Sequence, residues 1–459
     1  MGKKRGEQPL APQHGCSDCT VGFPLALLLT YVRLQLSCHL PTSMGYGCQQ
    51  VLVRDRELLP VLEYLCQQSN KVYNCALYYA RQVYFKTKRL ASYGELCAEM
   101  VRTKNKHFIA MYVSAAQQTC KSVAEALSSF KTKLKLFLQE EISLRPNLPR
   151  YRKKGMFTVA YPKKWLKFQE GRVRVPLGNQ VKAWFGIDAF WIRFPTNLDW
   201  KNIKELRILP RHGVFYLEWI YAKPAQPQSL DPKKVLAIDH GVNNWLTCVS
   251  NLGHSFIIDG RKVKSFNQWY NKEVARLKTD KPQGFWSQKL ERITEKRSRR
   301  MRDAIHKAAR KVIDFCLHHS IGRIIFGWNK EQKQECGLGK VNNQNFVLIP
   351  TGWLKERIAE LCQHYGIEFI EAEEAYSSQA SFLDGDELPN YGEKPDGWRP
   401  SGKRVKRGLY QTAKGWLVNA DANAAANLLK KVSRTLGLCL KELSRGALTT
   451  PLRVLLWTA

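Results

Sequence analysis

Acidic side chains in three separated parts of the chain are the ones best suited to chemistry. Asp239 follows an apolar run at 235–238, Glu373 and Glu374 follow a second apolar run, and Asp421 lies in an alanine-rich segment. Three converging carboxylates repel one another unless cations bridge them, and Mg²⁺ is held by few carboxylates together with water and substrate phosphate. Two such ions roughly 3.5 to 4 Å apart activate water and stabilise the leaving 3′ oxygen in phosphodiester hydrolysis.

The elements around these acids must bring them together. The run at 235–238 is typical of a strand buried on both faces, and runs at 245–249 and 254–258 flank a hairpin turn. Three antiparallel strands with Asp239 at the exit of the first are typical of the start of a ribonuclease H-like domain. A helix that opens near 417 places Asp421 in its first turn. The ordinary alternatives are a turn residue at 239 and an acid favoured by the helix dipole at 421.

Length and charge indicate the class of partner. A chain of 459 residues allows two or three domains, each with its own core. Lys and Arg number 73 against 39 Asp and Glu, and the resulting formal charge is +34. Such an excess repels itself unless a polyanion neutralises it. Because the basic residues are spread over every segment rather than gathered beside an anchor, nucleic acid is favoured over a membrane surface.

The cysteines and the N-terminal segment carry weaker signals. Most of the 13 cysteines lie in apolar patterns, which is typical of reduced core residues in a cytosolic protein. Cys16 and Cys19 form a CxxC pair with no partner pair at zinc-site spacing, so we expect no zinc. Residues 1–43 superficially resemble a signal peptide, but Pro24 weakens that interpretation. We expect this segment to be disordered or translated from upstream of a true start at Met44, and to be dispensable.

Periodicity separates the first half of the chain into two parts. Apolar residues at three- and four-residue steps predict helices from Glu57 to Arg81 and from about Phe108 to Gln139. Between Phe157 and Ala222 the period changes to two, and short runs separated by Pro, Gly and Asn predict a small antiparallel barrel. Lys163 and Lys164 lie there among aromatic residues, a combination that can stack bases and hold phosphates, although aromatic residues on strands are usually core.

The most basic stretch is a helical block within residues 265–319. Few carboxylates lie near enough to pair all of its cations, so a phosphate-facing helix is favoured over a self-neutralised one. A solvated face is the ordinary alternative. The residues expected to contact phosphates are Lys296, Arg299, Arg300 and Arg310.

Longer motifs carry a family resemblance. VLAIDHGVNN, EEAYSSQASFLDGDELP, SGKRVKRGLY and NADANAAANLL occur in the order seen in the TnpB family, the OrfB-type proteins of insertion sequences related to type V CRISPR effectors. The resemblance runs from about Gly45 to Trp457 and adds Arg404 and Arg407 to the expected nucleic-acid contacts. It implies a RuvC-type nuclease, a wedge barrel interrupted by a helical recognition domain, and DNA cleavage directed by a guide RNA encoded near the element's end. Base pairing would read most of the target, and the protein a short flanking motif.

The catalytic glutamate departs from the family pattern. Most members carry it at the end of the fourth strand, in a run like VVxEDL, whereas this chain has IIFGWN at 324–329. The chain resembles a subgroup in which the acid moves to the fifth strand. Because Ile370 and Ala372 share a face with Glu374, we favour Glu374 and keep Glu373 as the alternative.

The same region lacks the usual pair of CxxC motifs. A segment containing Asp384 and Asp386 stands in their place, so a zinc ribbon is expected to be absent or remodelled. These two acids are the next candidates for a third metal ligand should neither glutamate serve.

Together these observations predict a multidomain α+β protein. A helical recognition domain and a small β-barrel wedge domain precede a RuvC/ribonuclease H-like α/β nuclease domain. The expected boundaries are 1–43 for the extension, 44–56 for the first wedge strand, 57–150 for the recognition domain, 151–225 for the wedge barrel and 226–459 for the nuclease domain.

The predicted activity is that of an RNA-guided DNA endonuclease of a transposable element, acting in the cytoplasm with the nucleoid and not on a membrane. Asp239, Glu374 and Asp421 would hold Mg²⁺, for which Mn²⁺ is an expected substitute, and double-stranded DNA and guide RNA are the expected partners. The alternatives are a nuclease-dead RNA-guided DNA-binding regulator and, less favoured, a RuvC-fold transposase.

Overall fold

A computed structural model describes residues 44–153, 155–329 and 349–457. The chain divides into two units. The first contains Gln50–Pro210 and Phe215–Trp219, and the second contains 44–49, Arg211–Val214 and the described residues from Ile220 onward. The segment 1–43, with its CxxC pair, lies outside the described residues, and its dispensability stays a prediction. The five expected domain boundaries also stay predictions.

The first unit opens with helices whose apolar stripes pack together. They are α1 (Leu59–Thr87), α2 (Tyr93–Arg102), α3 (Lys106–Ile109) and α4 (Val113–Leu138). Pro60 lies in the first turn of α1, where its missing N–H breaks no helical hydrogen bond. Ser92 and Glu95 form a capping box that starts α2. The helix predicted over 108–139 is divided between α3 and α4, because Tyr112 has an extended backbone.

The strands between residues 44 and 224 form two sheets. They are β1 (Met44–Leu52), β2 (Val159–Pro162), β3 (Lys167–Gln169), β4 (Arg172–Pro176), β5 (Ala189–Arg193), β6 (Ile203–Arg211) and β7 (Val214–Pro224), with helix α5 (Asn179–Phe185) between β4 and β5. One sheet has the order β1-β7-β6-β2, and the other is the antiparallel β3-β4-β5. The strand-rich character of this region is as predicted, and its closure into a barrel stays a proposal.

The second unit is built on a mixed sheet. Its described strands are β8 (Asp231–His240), β9 (Asn244–Ser250), β10 (Ser255–Asp259), β11 (Ile321–Gly327), β12 (Glu368–Ala372) and β16 (Leu452–Val454), in the order β12-β11-β8-β9-β10-β16. The hairpin signals are confirmed, since β8, β9 and β10 are successive antiparallel neighbours. β11 runs parallel to β8, and β12 parallel to β11. The carboxyl ends of β8, β11 and β12 therefore meet at one edge.

Helices cover both faces of this sheet. They are α6 (Arg261–Lys278), α7 (Gln288–His318), α8 (Thr351–Tyr365), α9 (Ala420–Leu436) and α10 (Arg445–Thr449). On one face, Leu236 and Ile238 of β8 share a core with apolar residues of α7 and α8. On the other, Val235 and Ala237 share a core with the alanines of α9, whose small side chains allow close approach.

A small antiparallel sheet precedes α9. Its strands are β13 (Lys403–Lys406), β14 (Leu409–Gln411) and β15 (Leu417–Asn419). β15 runs directly into α9, so it sets where that helix begins. None of the helices in residues 44–153, 155–329 and 349–457 has both the length and the apolar character needed to cross a membrane.

Candidate active site

Asp239 continues the face of β8 that packs against α9. Val235 and Ala237 lie in one core with Ala422 and Ala425. Side chains two residues apart on a strand share a face, so Asp239 is the next residue in that row. The acid therefore points to the side of the sheet on which α9 begins with Asp421 in its first turn.

The three predicted acids influence one another. Burial raises the pKa of Asp239 well above its ordinary value, and the carboxylates of Glu374 and Asp421 raise it further, whereas the guanidinium of Arg404 lowers it. The fold thus brings together acids from β8, from the segment after β12 and from the start of α9. Their mutual repulsion in a buried place is the kind of charge that a bound divalent cation compensates.

Gly327, the last residue of β11, makes room for Glu374. A Cβ atom placed on Gly327 would lie 2.9 Å from Glu374 Cγ, 3.2 Å from Glu374 Oε1 and 2.8 Å from Leu428 Cδ1. Position 327 is also where the VVxEDL pattern of the resembling family carries its glutamate. The carboxylate of Glu374 therefore lies in the space that a side chain at position 327 would enter.

The neighbouring glutamate is engaged elsewhere. The carboxylate of Glu373 accepts hydrogen bonds from the Tyr391 N–H at 2.9 Å and from Lys431 Nζ at 2.6 Å. The Glu374 N–H instead donates to Asn329 Oδ1 at 3.2 Å, which fixes its backbone beside the end of β11. Of the two residues, Glu374 is the one whose charge acts on Asp239.

Hydrogen bonds hold both the backbone and the carboxylate of Asp421. Its backbone N–H donates to Asn419 Oδ1 at 3.0 Å, which caps the start of α9. Its Oδ2 accepts a hydrogen bond from Asn244 Nδ2 at 2.7 Å, and its Oδ1 pairs with the Arg404 guanidinium at 3.2 Å. Arg453 in turn donates to Asn244 Oδ1 at 3.0 Å, so this amide is itself oriented.

The donor set fits a hard divalent cation. Three carboxylates from separate elements supply only oxygen ligands, and Mg²⁺ is commonly held by one or two carboxylates that leave room for water and phosphate. Within the described part of the chain, no group of three or more His, Cys, Asp and Glu side chains is already arranged to hold a metal ion. In this conformation Asp421 faces Arg404 and Asn244, so sharing a cation requires its carboxylate to turn from them.

Lys163 and Lys164 lie beside an open, basic cavity in the first unit. The cavity measures about 540 Å³ and is also lined by Trp200, Lys201 and Lys204. Lys163 Nζ donates to the Lys201 carbonyl oxygen at 2.9 Å and lies 5.4 Å from the centre of the Trp200 indole. The predicted pair of cations is thus joined by two further lysines and an aromatic face.

The expected phosphate contacts on α7 differ in their surroundings. Lys296 Nζ lies 5.3 Å from the ring centre of Trp269, and the Arg300 guanidinium lies 4.5 Å from that of Phe266. Among the residues that the structure describes, no ion pair neutralises either of these two charges. Arg299 lies 3.9 Å from Glu295, at the limit of an ion pair.

Arg310 is the most strongly engaged of the four. It pairs with Asp314 at 2.6 Å and donates to the Tyr365 hydroxyl at 2.7 Å. These partners raise the pKa of Arg310, with the hydrogen bond to Tyr365 contributing most. Arg310 is thus one of the cations on this helix that an acid one turn later does pair, and its role in binding phosphate stays a prediction.

Asp384 and Asp386, the reserve candidates for metal ligands, stabilise a loop. Asp384 Oδ2 accepts hydrogen bonds from Ser381 Oγ at 2.6 Å, Ser401 Oγ at 3.3 Å and the Ala413 N–H at 2.8 Å. Asp386 Oδ2 accepts from the N–H groups of Ser381 at 2.7 Å and Ser401 at 3.0 Å. In the part of the chain where relatives carry paired CxxC motifs, carboxylates tie the segments together.

Sequence reasoning missed the polar residues that support the acids. Asn244 was interpreted only as a turn residue, and Arg453 lies in a C-terminal segment without a motif. His240 also lies in the site, with Nε2 3.2 Å from Glu374 Oε1. Its only signal in the sequence is that it directly follows Asp239. Arg407 of the SGKRVKRGLY motif is exposed, whereas Arg404 of the same motif reaches Asp421.

Comparisons with known proteins give a family match for one segment and similar folds among solved structures. Residues 219–332 match the OrfB_IS605 family, described as a probable transposase. No curated protein matches the sequence. Among solved structures, that of a Cas12f1–sgRNA–target DNA complex is 17% identical, with a TM-score of 0.52 over 82% of this chain and 83% of that one. The structure of a mini-RNA-guided endonuclease, CRISPR-Cas_phi3, is 9% identical, with a TM-score of 0.44 over 89% of this chain and 94% of that one.

The likeness to the Cas12f1 complex is one of fold. The family match covers β8 to β11, the strands that carry Asp239 and Gly327. The motifs occur in the order of that family, and the chain shares a mixed α/β fold with the Cas12f1 structure, so the chain is similar to the OrfB_IS605 family through residues 219–332.

Proposed function

We propose that this protein is an RNA-guided, Mg²⁺-dependent DNA endonuclease of a transposable element. The family match supports an origin in an insertion sequence. The similar Cas12f1 structure is a complex with guide RNA and target DNA, which supports the same two partners here. The order β10-β9-β8-β11-β12 within the sheet supports a RuvC-type, ribonuclease H-like nuclease domain.

The observation that carries the proposal is the acid cluster around Asp239. A buried carboxylate whose pKa is raised by two further carboxylates is unfavourable in a folded protein without compensation. Structural acids are normally paired or hydrogen-bonded when buried, as Asp384 is. Arg404 and Asn244 compensate Asp421 only in part, and three converging carboxylates in a protein with a formal charge of +34 support a bound cation that meets a nucleic-acid backbone.

Asp239, Glu374 and Asp421 are the residues that would hold the metal. When bound, one or two Mg²⁺ or Mn²⁺ ions polarise the phosphodiester and lower the pKa of an attacking water. Asp239, on the central strand, is the common neighbour of the other two acids. Asn244 and Arg404 hold the Asp421 carboxylate without metal, and once that carboxylate turns to a cation the Arg404 guanidinium would be released to attract phosphate.

The remaining basic residues would bind guide RNA and target DNA. Lys163 and Lys164 line the cavity of the first unit, in the part of the chain that the family resemblance assigns to a wedge barrel. Lys296, Arg299 and Arg300 extend along α7, and Arg407 is exposed between β13 and β14. Such contacts fix the register of a duplex, while base pairing to the guide supplies sequence recognition.

A cleavage assay tests the proposal. The full chain, co-expressed with RNA from the element's end, is offered a guide-matched duplex that carries a randomised flanking motif, in Mg²⁺ and in chelator. We expect Mg²⁺-dependent cutting that Asp239→Asn, Asp421→Asn and Glu374→Gln abolish, with guide and target binding retained. Glu373→Gln is the matched control and should keep activity.

One observation favours a second function. Position 327, where most family members carry the catalytic glutamate, is glycine, which is what a nuclease-dead RNA-guided DNA-binding regulator would show. If the wild-type complex binds its matched duplex and never cuts it in Mg²⁺ or Mn²⁺, the regulator replaces the endonuclease. Strand transfer of a pre-cut element end, with no guide RNA required, would instead favour the transposase.

A further inference from the structure

We propose that His240 is a positioning residue that holds the displaced Glu374 toward Asp239, an inference that rests on the proposed role of Glu374 as a metal ligand. His240 directly follows Asp239 at the end of β8. Its Nε2 lies 3.2 Å from Glu374 Oε1, and the two side chains are only 3% and 10% exposed. An N–H at Nε2 therefore reaches the carboxylate after a small rotation of either group.

The surroundings of His240 leave the carboxylate as its polar partner. The imidazole lies against aromatic rings, with centroids 6.0 Å from Phe326 and 5.5 Å from Trp328. Among the described residues, neither ring nitrogen has a partner with full hydrogen-bond geometry. A buried polar group left in that condition usually has a functional explanation. The ion-pair contact to Glu374 is such an explanation.

The displacement of the glutamate explains why it needs this contact. A side chain at position 327 would belong to β11, whose backbone is paired on both sides. Glu374 instead lies two residues beyond Ala372, the last residue of β12 paired with β11. Its backbone is held through Asn329 Oδ1, and its side chain must cross the space above Gly327. His240, from β8, fixes the far end of that side chain.

The matched substitutions separate positioning from packing. His240→Phe keeps a ring among Phe326 and Trp328 and removes the donor, whereas His240→Gln keeps an N–H near the place of Nε2. The probe is Mn²⁺ alone, titrated into the full chain by calorimetry, so that the readout does not depend on cleavage. Loss of a group that orients a metal-ligating carboxylate costs about 10- to 100-fold in metal affinity or activity.

We expect His240→Phe to weaken Mn²⁺ binding by that factor with an unchanged melting temperature. His240→Gln should bind Mn²⁺ almost as tightly as the wild type. In a Glu374→Gln background, His240→Phe should cause no further loss. His254→Phe, a ring replacement on the turn before β10, is the control and should bind Mn²⁺ like the wild type.

Three results would overturn the inference. They are unchanged Mn²⁺ affinity in His240→Phe, equal losses in the Phe and Gln variants, and an undiminished effect of His240→Phe when Glu374 is already Gln. A wild-type chain that binds Mn²⁺ and passes these tests but never cuts DNA would refute the endonuclease and leave the His240–Glu374 contact established.

Discussion

Asp239 carries a carboxyl group whose ionisation is opposed by burial first and by two neighbouring acids second. An acid whose pKa is raised on folding releases its proton more readily in the unfolded chain. The free energy of unfolding therefore falls as pH rises from the ordinary Asp value of about 4 to the raised value in the folded protein. Above that window the folded, metal-free protein bears the full cost of the charge.

Replacing this acid should therefore stabilise the metal-free protein. Asp239→Asn in chelator at pH 7 should raise the free energy of unfolding by about 1–3 kcal/mol, the scale of an unsatisfied buried polar group. The advantage should vanish near pH 3.5, where wild-type Asp239 is protonated in both states. Denaturant unfolding at the two pH values measures it. A variant that is less stable than the wild type at pH 7 would contradict the proposed repulsion.

Mg²⁺ provides the complementary measurement on the same pair of proteins. A ligand that binds only the folded state raises stability with its concentration. Mg²⁺ should therefore raise the melting temperature of the wild type and not that of Asp239→Asn. Equal responses would place the stabilising metal elsewhere.

Gly327 provides a second prediction at the scale of a residue. A methyl group there meets Glu374 Cγ at 2.9 Å and Leu428 Cδ1 at 2.8 Å, and both must move. Gly327→Ala should reduce cleavage at least tenfold while costing about 1–3 kcal/mol of stability, the usual range for overpacking. Gly352→Ala, whose new methyl lies 3.8 Å from its nearest neighbour, Trp328, is the matched control and should keep activity. Full cleavage activity in Gly327→Ala would show that Glu374 does not take part in the active site.

At the scale of elements, α7 combines a buried apolar face with a basic one. The alanines of α7 pack into the core against the sheet. Within the described residues, some of its cations, such as Arg310, are paired with an acid and others are not. Lys296 and Arg300 rest on aromatic rings, which hold the cation in place without cancelling its charge. These two residues are therefore better placed than Arg310 to bind phosphate.

The salt dependence of binding tests this difference. Lys296→Gln with Arg300→Gln should weaken nucleic-acid affinity and reduce the log–log salt slope by about 0.9 for each lost duplex contact. Arg310→Gln should change the slope much less, because its charge is shared with Asp314 and Tyr365. Binding of a labelled duplex over a range of salt concentrations measures both. Equal slopes for the wild type and all variants would show that the basic face of α7 is solvated and does not contact phosphate.

At the scale of the whole molecule, a formal charge of +34 disfavours a folded protein on its own. Repulsion between like charges is relieved by salt and by a bound polyanion. Asp384 and Asp386 join segments of one loop through hydrogen bonds, so these two acids do not serve to neutralise basic side chains elsewhere.

RNA should therefore stabilise the whole chain. Addition of a short duplex RNA to the RNA-free protein at low salt should raise the melting temperature, and 0.5 M NaCl should reproduce part of the rise while abolishing further response to RNA. Differential scanning calorimetry of the two series measures this. A melting temperature that changes neither with RNA nor with NaCl would show that the charges are already balanced within the fold.

The sequence by itself determined the strands, the helices and the identity of the acids. An apolar run ending in Asp239, a hairpin turn and a basic amphipathic helix are local patterns that lie where they were predicted. The alanine-rich helix also has Asp421 in its first turn, but it begins at Ala420 rather than near 417, because residues 417–419 pair with β14 as strand β15. Local patterns suffice because backbone periodicity and capping act within a few residues.

Tertiary structure alone decided how those acids are used. Strand alternation favoured Glu374 over Glu373, but only the fold shows Lys431 at 2.6 Å from Glu373 and Glu374 in the space above Gly327. The pairing of Arg404 with Asp421 and the contact of His240 with Glu374 join residues 17 and 134 positions apart. Through-space distances of this kind follow from the parallel register of β8, β11 and β12, which no short stretch of sequence encodes.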